Sequence, residues 1–215
     1  VATGKQLAFR FGGEHWLGIH LGMTGRLSRE GADYRPERHD HLVLHLEDGY
    51  RLVFSDFRLF GRVRYHRGAE KPDWLAKAPP DVLSRGFTFE RMDGFLDRRK
   101  GAPIKAVLLM QECFPGIGNW MADEVLWRAR IRPEAKAGAI GPKKRRQLYE
   151  TLREVCEDAL RVIGTDWQRP PDAWLFNHRW EDGGVCPRTG KPLRREEVGG
   201  RTTCWSPGWQ AYRGR

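Results

Sequence analysis

Gln111-Glu-Cys-Phe-Pro-Gly-Ile-Gly-Asn-Trp-Met-Ala-Asp-Glu124 is the stretch whose reading decides the fold. An apolar helical pattern, Ile104, Val107, Leu108 and Met110, runs into it. Pro115-Gly116-Ile117-Gly118 cannot continue that helix, because proline lacks a backbone donor and glycine favours turns. A second pattern, Val125, Leu126, Ala129 and Ile131, runs out and stops before Pro133. The stretch therefore predicts a helix, a tight glycine turn and a second helix, with Asn119 at the new helix start. Unpaired N–H groups at such a start make a ready phosphate site. An ordinary helix hairpin with a glycine turn accounts for the same spacing equally well.

Upstream, residues 5–66 predict strands. Lys5 to Phe11 and Glu14 to Leu21 flank Gly12-Gly13, and His41 to Leu46 and Tyr50 to Phe54 flank Glu47-Asp48-Gly49, both hairpin signals. Val63-Arg-Tyr65 follows. Lys5 is expected to open the first strand. Residues 67–87 hold Gly68, Pro72, Pro79, Pro80 and Gly86 and read as a connection. From Thr88, a fitting N-cap, the period turns helical, with Phe95 and Leu96 on one face. A long helix follows Pro142 and carries Leu148, Leu152, Val155, Ala159 and Ile163. A short helix is predicted over Pro171 to Asn177. Strands near Leu193–Val198 and Arg201–Trp205 about Gly199-Gly200 make a last hairpin.

The expected fold is α+β: an N-terminal antiparallel β-sandwich, incomplete, followed by a helical domain and a terminal hairpin. The expected boundaries are 1–70, a linker over 71–87, a helical domain over 88–180 and a hairpin over 181–215. A chain of 215 residues allows one large domain or two modest ones. The net charge of +10, from 38 basic and 28 acidic residues, points to a polyanion without choosing among DNA, RNA and a membrane surface. There is neither an apolar run long enough to span a bilayer nor a signal peptide, so the expectation is a soluble, intracellular monomer. Cys113, Cys156, Cys186 and Cys204 form no C-x-x-C pair, which excludes a four-thiolate zinc ribbon and argues against a disulfide framework. Cys113 and Cys156 sit among apolar helix residues and are expected in the core.

Gly116-Ile-Gly-Asn-Trp-Met-Ala-Asp-Glu124 closely resembles the signature of the helix–two-turns–helix DNA glycosylases, the formamidopyrimidine-DNA glycosylase and endonuclease VIII family. In that family the turn and its asparagine grip the backbone of damaged DNA, which implies this role for Asn119. Thr3-Gly4-Lys5-Gln6-Leu7 is similar to the family's Gly-Lys strand start, whose lysine reaches the cleaved sugar and its phosphate. An ammonium there can stabilise developing charge and relay protons, so the resemblance makes Lys5 a catalytic candidate. Read alone, Lys5 is a solvated strand-edge residue. Ile19-His-Leu-Gly-Met-Thr-Gly-Arg26 matches the family's strand-to-loop motif almost letter for letter. This gives Met23 the task of filling the hole left by a flipped-out base, recovering part of an unstacking cost of a few kcal/mol.

Ser55-Asp-Phe-Arg-Leu-Phe-Gly-Arg62 resembles the family's Asp-Pro-Arg-x-Phe-Gly loop, with Phe57 in place of the proline. The likeness implies that Arg58 pairs with the orphaned opposite base, ideally cytosine, and that Phe60 wedges between its neighbours. Without it they are a surface charge and a core aromatic. Together Met23, Arg58 and Phe60 point to the purine-repair branch.

Most members carry a zinc ribbon of two C-x-x-C pairs. Aligned on Gly199-Gly-Arg-Thr-Thr203, its ligand positions fall at Cys186, Thr189, Ser206 and Trp209, and one thiolate cannot hold the metal. The resemblance is therefore to the zincless-finger variant, with no metal or cofactor expected and Trp205 and Trp209 as candidate fillers. Arg201 matches the family arginine beside the flipped nucleotide's phosphate. Residues 186–215 hold seven Lys or Arg and two Asp or Glu, a concentration of charge that suits a DNA-gripping tip.

The family's nucleophile is the amine of an N-terminal proline followed by glutamate, whereas this chain starts Val1-Ala-Thr-Gly-Lys. It matches the later part of a family member and reads as a piece of a longer protein, or as a natural truncation that binds without cutting. The resemblance implies a bifunctional glycosylase and abasic-site lyase acting on 8-oxoguanine and formamidopyrimidines in duplex DNA by base flipping and Schiff-base chemistry, with these residues alone expected to be inactive. The alternatives are a non-catalytic binder of damaged or abasic DNA and, more weakly, an RNA-binding or ribosome-associated basic protein. The bacterial nucleoid is the expected location.

Overall fold

The computed structural model describes residues 1–164 and 169–214. Four positions of the expected helical region, 165–168, and the last residue of the expected hairpin lie outside the described residues. The chain divides into two compact units, Val1–Ala78 and Pro79–Arg215.

The first unit is antiparallel throughout. Strands β1 (Ala2–Thr3), β2 (Gln6–Phe11), β3 (His15–His20) and β7 (Arg62–Arg67) form one sheet in the order β1-β2-β3-β7. Strands β4 (Arg26–Glu30), β5 (Asp40–His45) and β6 (Arg51–Ser55) form a second in the order β4-β6-β5. Alternate residues face inward, so Leu17 and Ile19 meet Phe54, with Leu7, Phe9, Leu21, Leu27, Leu42 and Leu44 packed around them. Three expectations need correction. Lys5 does not open a strand: Thr3 pairs with Gln6, so Gly4-Lys5 is the two-residue connection of a short hairpin. β4 is an unexpected strand, and its sequence Arg-Leu-Ser-Arg-Glu offers one apolar residue to signal it. The connecting segment is not without regular structure: β7 ends on its first residue, Arg67, and a one-turn helix, α1 (Asp73–Ala76), follows.

The second unit is helical with a terminal hairpin. Thr88 caps α2 (Phe89–Arg98) by accepting from the Arg91 N–H at 3.3 Å. α3 (Ile104–Leu108), the glycine turn and α4 (Asn119–Arg128) then follow as expected. α5 (Pro142–Ala159) is shorter than the long helix expected, since Leu160–Gly164 continues as a π-helical turn. The short helix lies later than predicted, as a 3-10 turn over Leu175–His178. β8 (Arg194–Val198) and β9 (Arg201–Trp205) pair about Gly199-Gly200. Both glycines have positive φ, as a two-residue hairpin of this kind demands. The core joins Met92, Phe95 and Leu96 of α2 to Ile104, Val107 and Leu108 of α3, Val125 and Leu126 of α4, and Leu148, Leu152 and Val155 of α5. Cys113 is in it, its thiol pushed up to about 11 by burial. Cys156 is not: it is half-buried and packs against the core's edge.

Candidate nucleic-acid interface

In the first unit, the turn after β3 and the loop after β6 are built as one piece. Asp56 is buried and receives the Thr24 hydroxyl at 2.5 Å, the Gly61 N–H at 2.7 Å and the Arg58 N–H at 3.3 Å. The Thr24 hydrogen bond is the main reason its carboxyl sits below the usual range, and it outweighs the opposing effect of burial. Gly22, at φ +67°, lies so close to the second loop that a Cβ would meet the Phe60 carbonyl carbon at 2.6 Å. The result is a tip that holds its apolar side chains in solvent. Met23 is 72% exposed, Phe57 62%, Leu59 70% and Phe60 50%. The Arg58 guanidinium lies over the Phe60 ring at 4.6 Å. Leu59 has φ +56°, a left-handed conformation rare for a non-glycine residue. Apolar side chains held out on a rigid support can enter a base stack.

Beside the tip lies a cleft of about 270 Å³ lined by Gln6, His20, Phe60, Arg62 and Arg64. The Gly22 N–H donates to His20 Nδ1 at 3.0 Å, which leaves Nε2 to carry the proton in the neutral ring. Desolvation, then the charges of Lys5, Arg62 and Arg64, lower the pKa of His20. Cations that repel a proton attract an anion, so this cleft suits a phosphate. Lys5 does not line the cleft but acts on His20 by its charge. His20, Arg62 and Arg64 were not singled out from the sequence, although His20 lies inside a quoted motif.

In the second unit, α4 starts without a side-chain cap and without an acid in its first turn, which leaves its positive end unneutralised. Asn119 Nδ2 donates to the Thr202 carbonyl of β9 at 2.7 Å, while Oδ1 has no partner among the described residues. Asn119 therefore sits against the strand that begins with exposed Arg201, and the structure brings these two predicted residues together. The hairpin docks through Gly199, where a Cβ would stand 2.5 Å from the Ala106 Cβ of α3.

Beneath this surface, Asp123 accepts from Lys105 Nζ, from Arg179 Nε and Nη2 at 3.2 and 2.5 Å, and from the Cys204 N–H at 3.1 Å. Lys105 also donates to the Asn119 carbonyl at 2.8 Å. Beside it, Glu124 pairs with Arg128 at 2.9 Å, and desolvation raises the Glu124 pKa. Both acids belong to the 111–124 stretch, and their roles are not legible in the sequence.

At the base of the hairpin, Trp127, Leu175, Cys186 and Cys204 form the buried cluster, with Trp209 packed against it. Trp209 is thus a filler as expected. The more deeply buried one is Trp127 of α4, which the sequence did not reveal. Trp205 is buried outside that cluster, its Nε1 donating to Glu196 at 2.6 Å. Burial works upward on the Cys186 thiol, but the polar groups around it, Ser206 and Thr189 and the Trp127 Nε1–H that donates to its sulfur at 3.4 Å, outweigh it and lower its pKa. Among the described residues, no group of three or more His, Cys, Asp or Glu is placed to hold a metal ion, and no helix is long and apolar enough to cross a membrane.

A sandwich with an exposed apolar tip, and a helical unit whose glycine turn and basic hairpin meet at an asparagine, define the helix–two-turns–helix class of DNA repair glycosylases. Sequence models of the formamidopyrimidine-DNA glycosylase N-terminal domain and H2TH domain match residues 1–63 and 79–169. The chain belongs to the formamidopyrimidine-DNA glycosylase family. It is 37% identical over 199 residues to the formamidopyrimidine-DNA glycosylase of Roseiflexus sp., covering 89% of this chain and 72% of that one. The enzyme of Chloroflexus aurantiacus is 34% identical, with 94% and 76% covered. Among solved structures, MutM (Fpg) of Thermus thermophilus matches with a TM-score of 0.80 and 34% identity, over 99% of this chain and 82% of that one. The Lactococcus lactis Fpg bound to DNA containing an abasic site matches at 0.84 and 27%, over 98% and 80%.

Proposed function

We propose that this protein recognises damaged and abasic sites in duplex DNA, with oxidised purines such as 8-oxoguanine and formamidopyrimidines as the lesion class. Base excision and strand cleavage at the exposed sugar form its complete activity. The observation that carries the reading is the shared carboxylate of Asp56, which locks the Met23 turn and the Arg58–Phe60 loop into one exposed tip. Met23 fills the hole in the duplex, Phe60 wedges beside it, and Arg58 offers donors to the unpaired base. Lys5, with His20, Arg62 and Arg64, receives a phosphate near the extruded sugar. Asn119, the open end of α4 and Arg201 hold the backbone. With DNA as the partner, the bacterial nucleoid is the compartment proposed.

The chemical step calls for an amine that attacks the sugar carbon and forms a Schiff base. Lys5 does not serve, because an ordinary lysine amine, with a pKa of about 10.4, is mostly protonated at neutral pH. A second reading is a protein that binds such DNA without cleaving it.

The test is borohydride trapping on an abasic duplex, run beside a polypeptide extended upstream to a proline-glutamate start. Both are expected to bind a non-cleavable abasic analogue, and only the extended one to be trapped. Efficient trapping of the 215-residue chain would overturn the nucleophile assignment. Binding without trapping by the extended chain would establish the binder.

A further inference from the structure

Asp123 lies outside every contact proposed with DNA, yet three elements packed around the Asn119–Arg201 grip, α3, the 3-10 turn and β9, send a donor to its carboxylate. Lys105 comes from α3 and reaches on to the Asn119 carbonyl. Arg179 comes from the end of the 3-10 turn. The Cys204 N–H comes from β9, two residues beyond the Thr202 carbonyl that holds the Asn119 side chain. Lys105, Asp123 and Cys204 are each at most 1% exposed and Arg179 is 6% exposed. A buried carboxylate with partners on all sides is a costly arrangement unless each partner is kept in place, which makes it strict about geometry.

We infer that Asp123 is a positioning residue that sets the glycine-turn grip and the β8–β9 hairpin as one body, so that Asn119 and Arg201 reach a phosphate backbone together. Three features support it. The network reaches both sides of the grip, through Lys105 to the Asn119 backbone and through Cys204 to β9. Beyond it, the hairpin is held by Gly199 on Ala106 and by the Trp127–Trp209 cluster, contacts that fix its ends but not the register of Thr202 against Asn119. Finally, the two cations and one carboxylate leave a positive excess beneath the open end of α4, the sign that an anion there calls for. Desolvation lowers the pKa of Lys105, and the Asp123 charge offsets that only in part.

The inference rests on the DNA-binding reading above, and its test separates the two. Affinity for a non-cleavable abasic duplex would be measured as a function of salt for the full chain and for the Arg201→Ala, Asn119→Ala, Lys105→Met and Asp123→Asn variants, alone and in pairs. In the parent protein, Arg201→Ala is expected to weaken binding about tenfold and to flatten the salt slope by about one unit. In the Asp123→Asn background the same change should cost less than about threefold, because coupled residues are not additive. Lys105→Met leaves the Asp123–Arg179 pair charge-balanced and severs only the arm to Asn119. It should couple to Asn119→Ala and add independently to Arg201→Ala. Additive losses in both cycles would mean a merely structural role and overturn the inference. If Asp123→Asn does not fold, the Lys105→Met cycle decides alone.

Amide exchange in the free protein gives a readout without DNA. The Cys204 N–H should lose protection in Asp123→Asn while amides of α2 keep theirs. Unchanged exchange at Cys204 would also overturn the inference. Failure of the parent chain to bind abasic DNA would sink the DNA reading and leave the exchange test standing.

Discussion

Replacing Gly199 by alanine tests how the hairpin is docked. The residue has φ +62°, and an L side chain there costs about 1–2 kcal/mol. The added Cβ would also stand 2.5 Å from the Ala106 Cβ, far inside the normal contact distance. Forcing a methyl into a packed contact costs about 1–3 kcal/mol. The sum is about 2–5 kcal/mol, which only a shift of the hairpin off α3 can relieve. Gly200 supplies the control. It has φ +77° and nothing within 4 Å of an added Cβ, so Gly200→Ala should cost only the conformational part, about 1–2 kcal/mol. Urea unfolding of both variants gives the two costs, and their difference is the clash. Gly199→Ala should also weaken DNA binding beyond its effect on stability, since Arg201 and Thr202 follow the turn directly. Ala106→Gly in the Gly199→Ala background should recover most of the difference. Equal destabilisation by the two alanines would refute the close docking of the hairpin on α3.

Met23→Ala should leave unfolding unchanged, because the side chain is exposed, and should reduce 2-aminopurine fluorescence on duplexes that report base extrusion; an unaltered signal would remove Met23 from flipping. Arg58→Ala should blunt discrimination among opposite bases, whereas Arg201→Ala should weaken binding to all sequences alike, and identical profiles would argue against separate roles. For His20 the folded pKa lies below the unfolded value of 6.5, so the unfolded state binds more protons and stability falls as pH drops through and below 6.5. His20→Gln should flatten that part of the stability–pH curve, and an unchanged curve would mean that the surrounding cations do not set its titration.

The parts of the fold legible in the sequence are those written in short-range pattern. The glycine turn, the Thr88 cap and the Gly199-Gly200 hairpin each depend on residues within a few positions of one another. Strands β2, β3, β5 and β6 fall within a residue or so of expectation for the same reason. β4 escaped because an edge strand with two arginines and a glutamate carries almost no alternation. The two organising carboxylates escaped for a different reason. Asp56 takes its hydroxyl from Thr24, 32 residues away, and Asp123 takes its strand N–H from Cys204, 81 residues away. No periodicity in a single chain registers such pairings. Trp127 reads as one more apolar residue of α4 until the hairpin folds back onto it. The motifs put Met23, Arg58, Phe60, Asn119 and Arg201 forward as candidates. They were silent on His20, Arg62 and Arg64, whose meaning comes from the cleft they share.

The tip gathered around Asp56 has a consequence for how an encounter with DNA unfolds in time. Fixing one residue's backbone costs about 1–2 kcal/mol in conformational entropy, so ordering the stretch from Asp56 to Gly61 alone is a matter of roughly 10 kcal/mol. Here that ordering belongs to folding, completed before any nucleic acid arrives, and even the left-handed turn at Leu59 is already in place. A loop that ordered only on contact would spend part of its binding energy on itself and slow the approach. A tip already set leaves the duplex as the partner that must change shape. Under the proposed function, the weakness of the local stack, greatest where a base is damaged or missing, then governs which sites are entered and how fast.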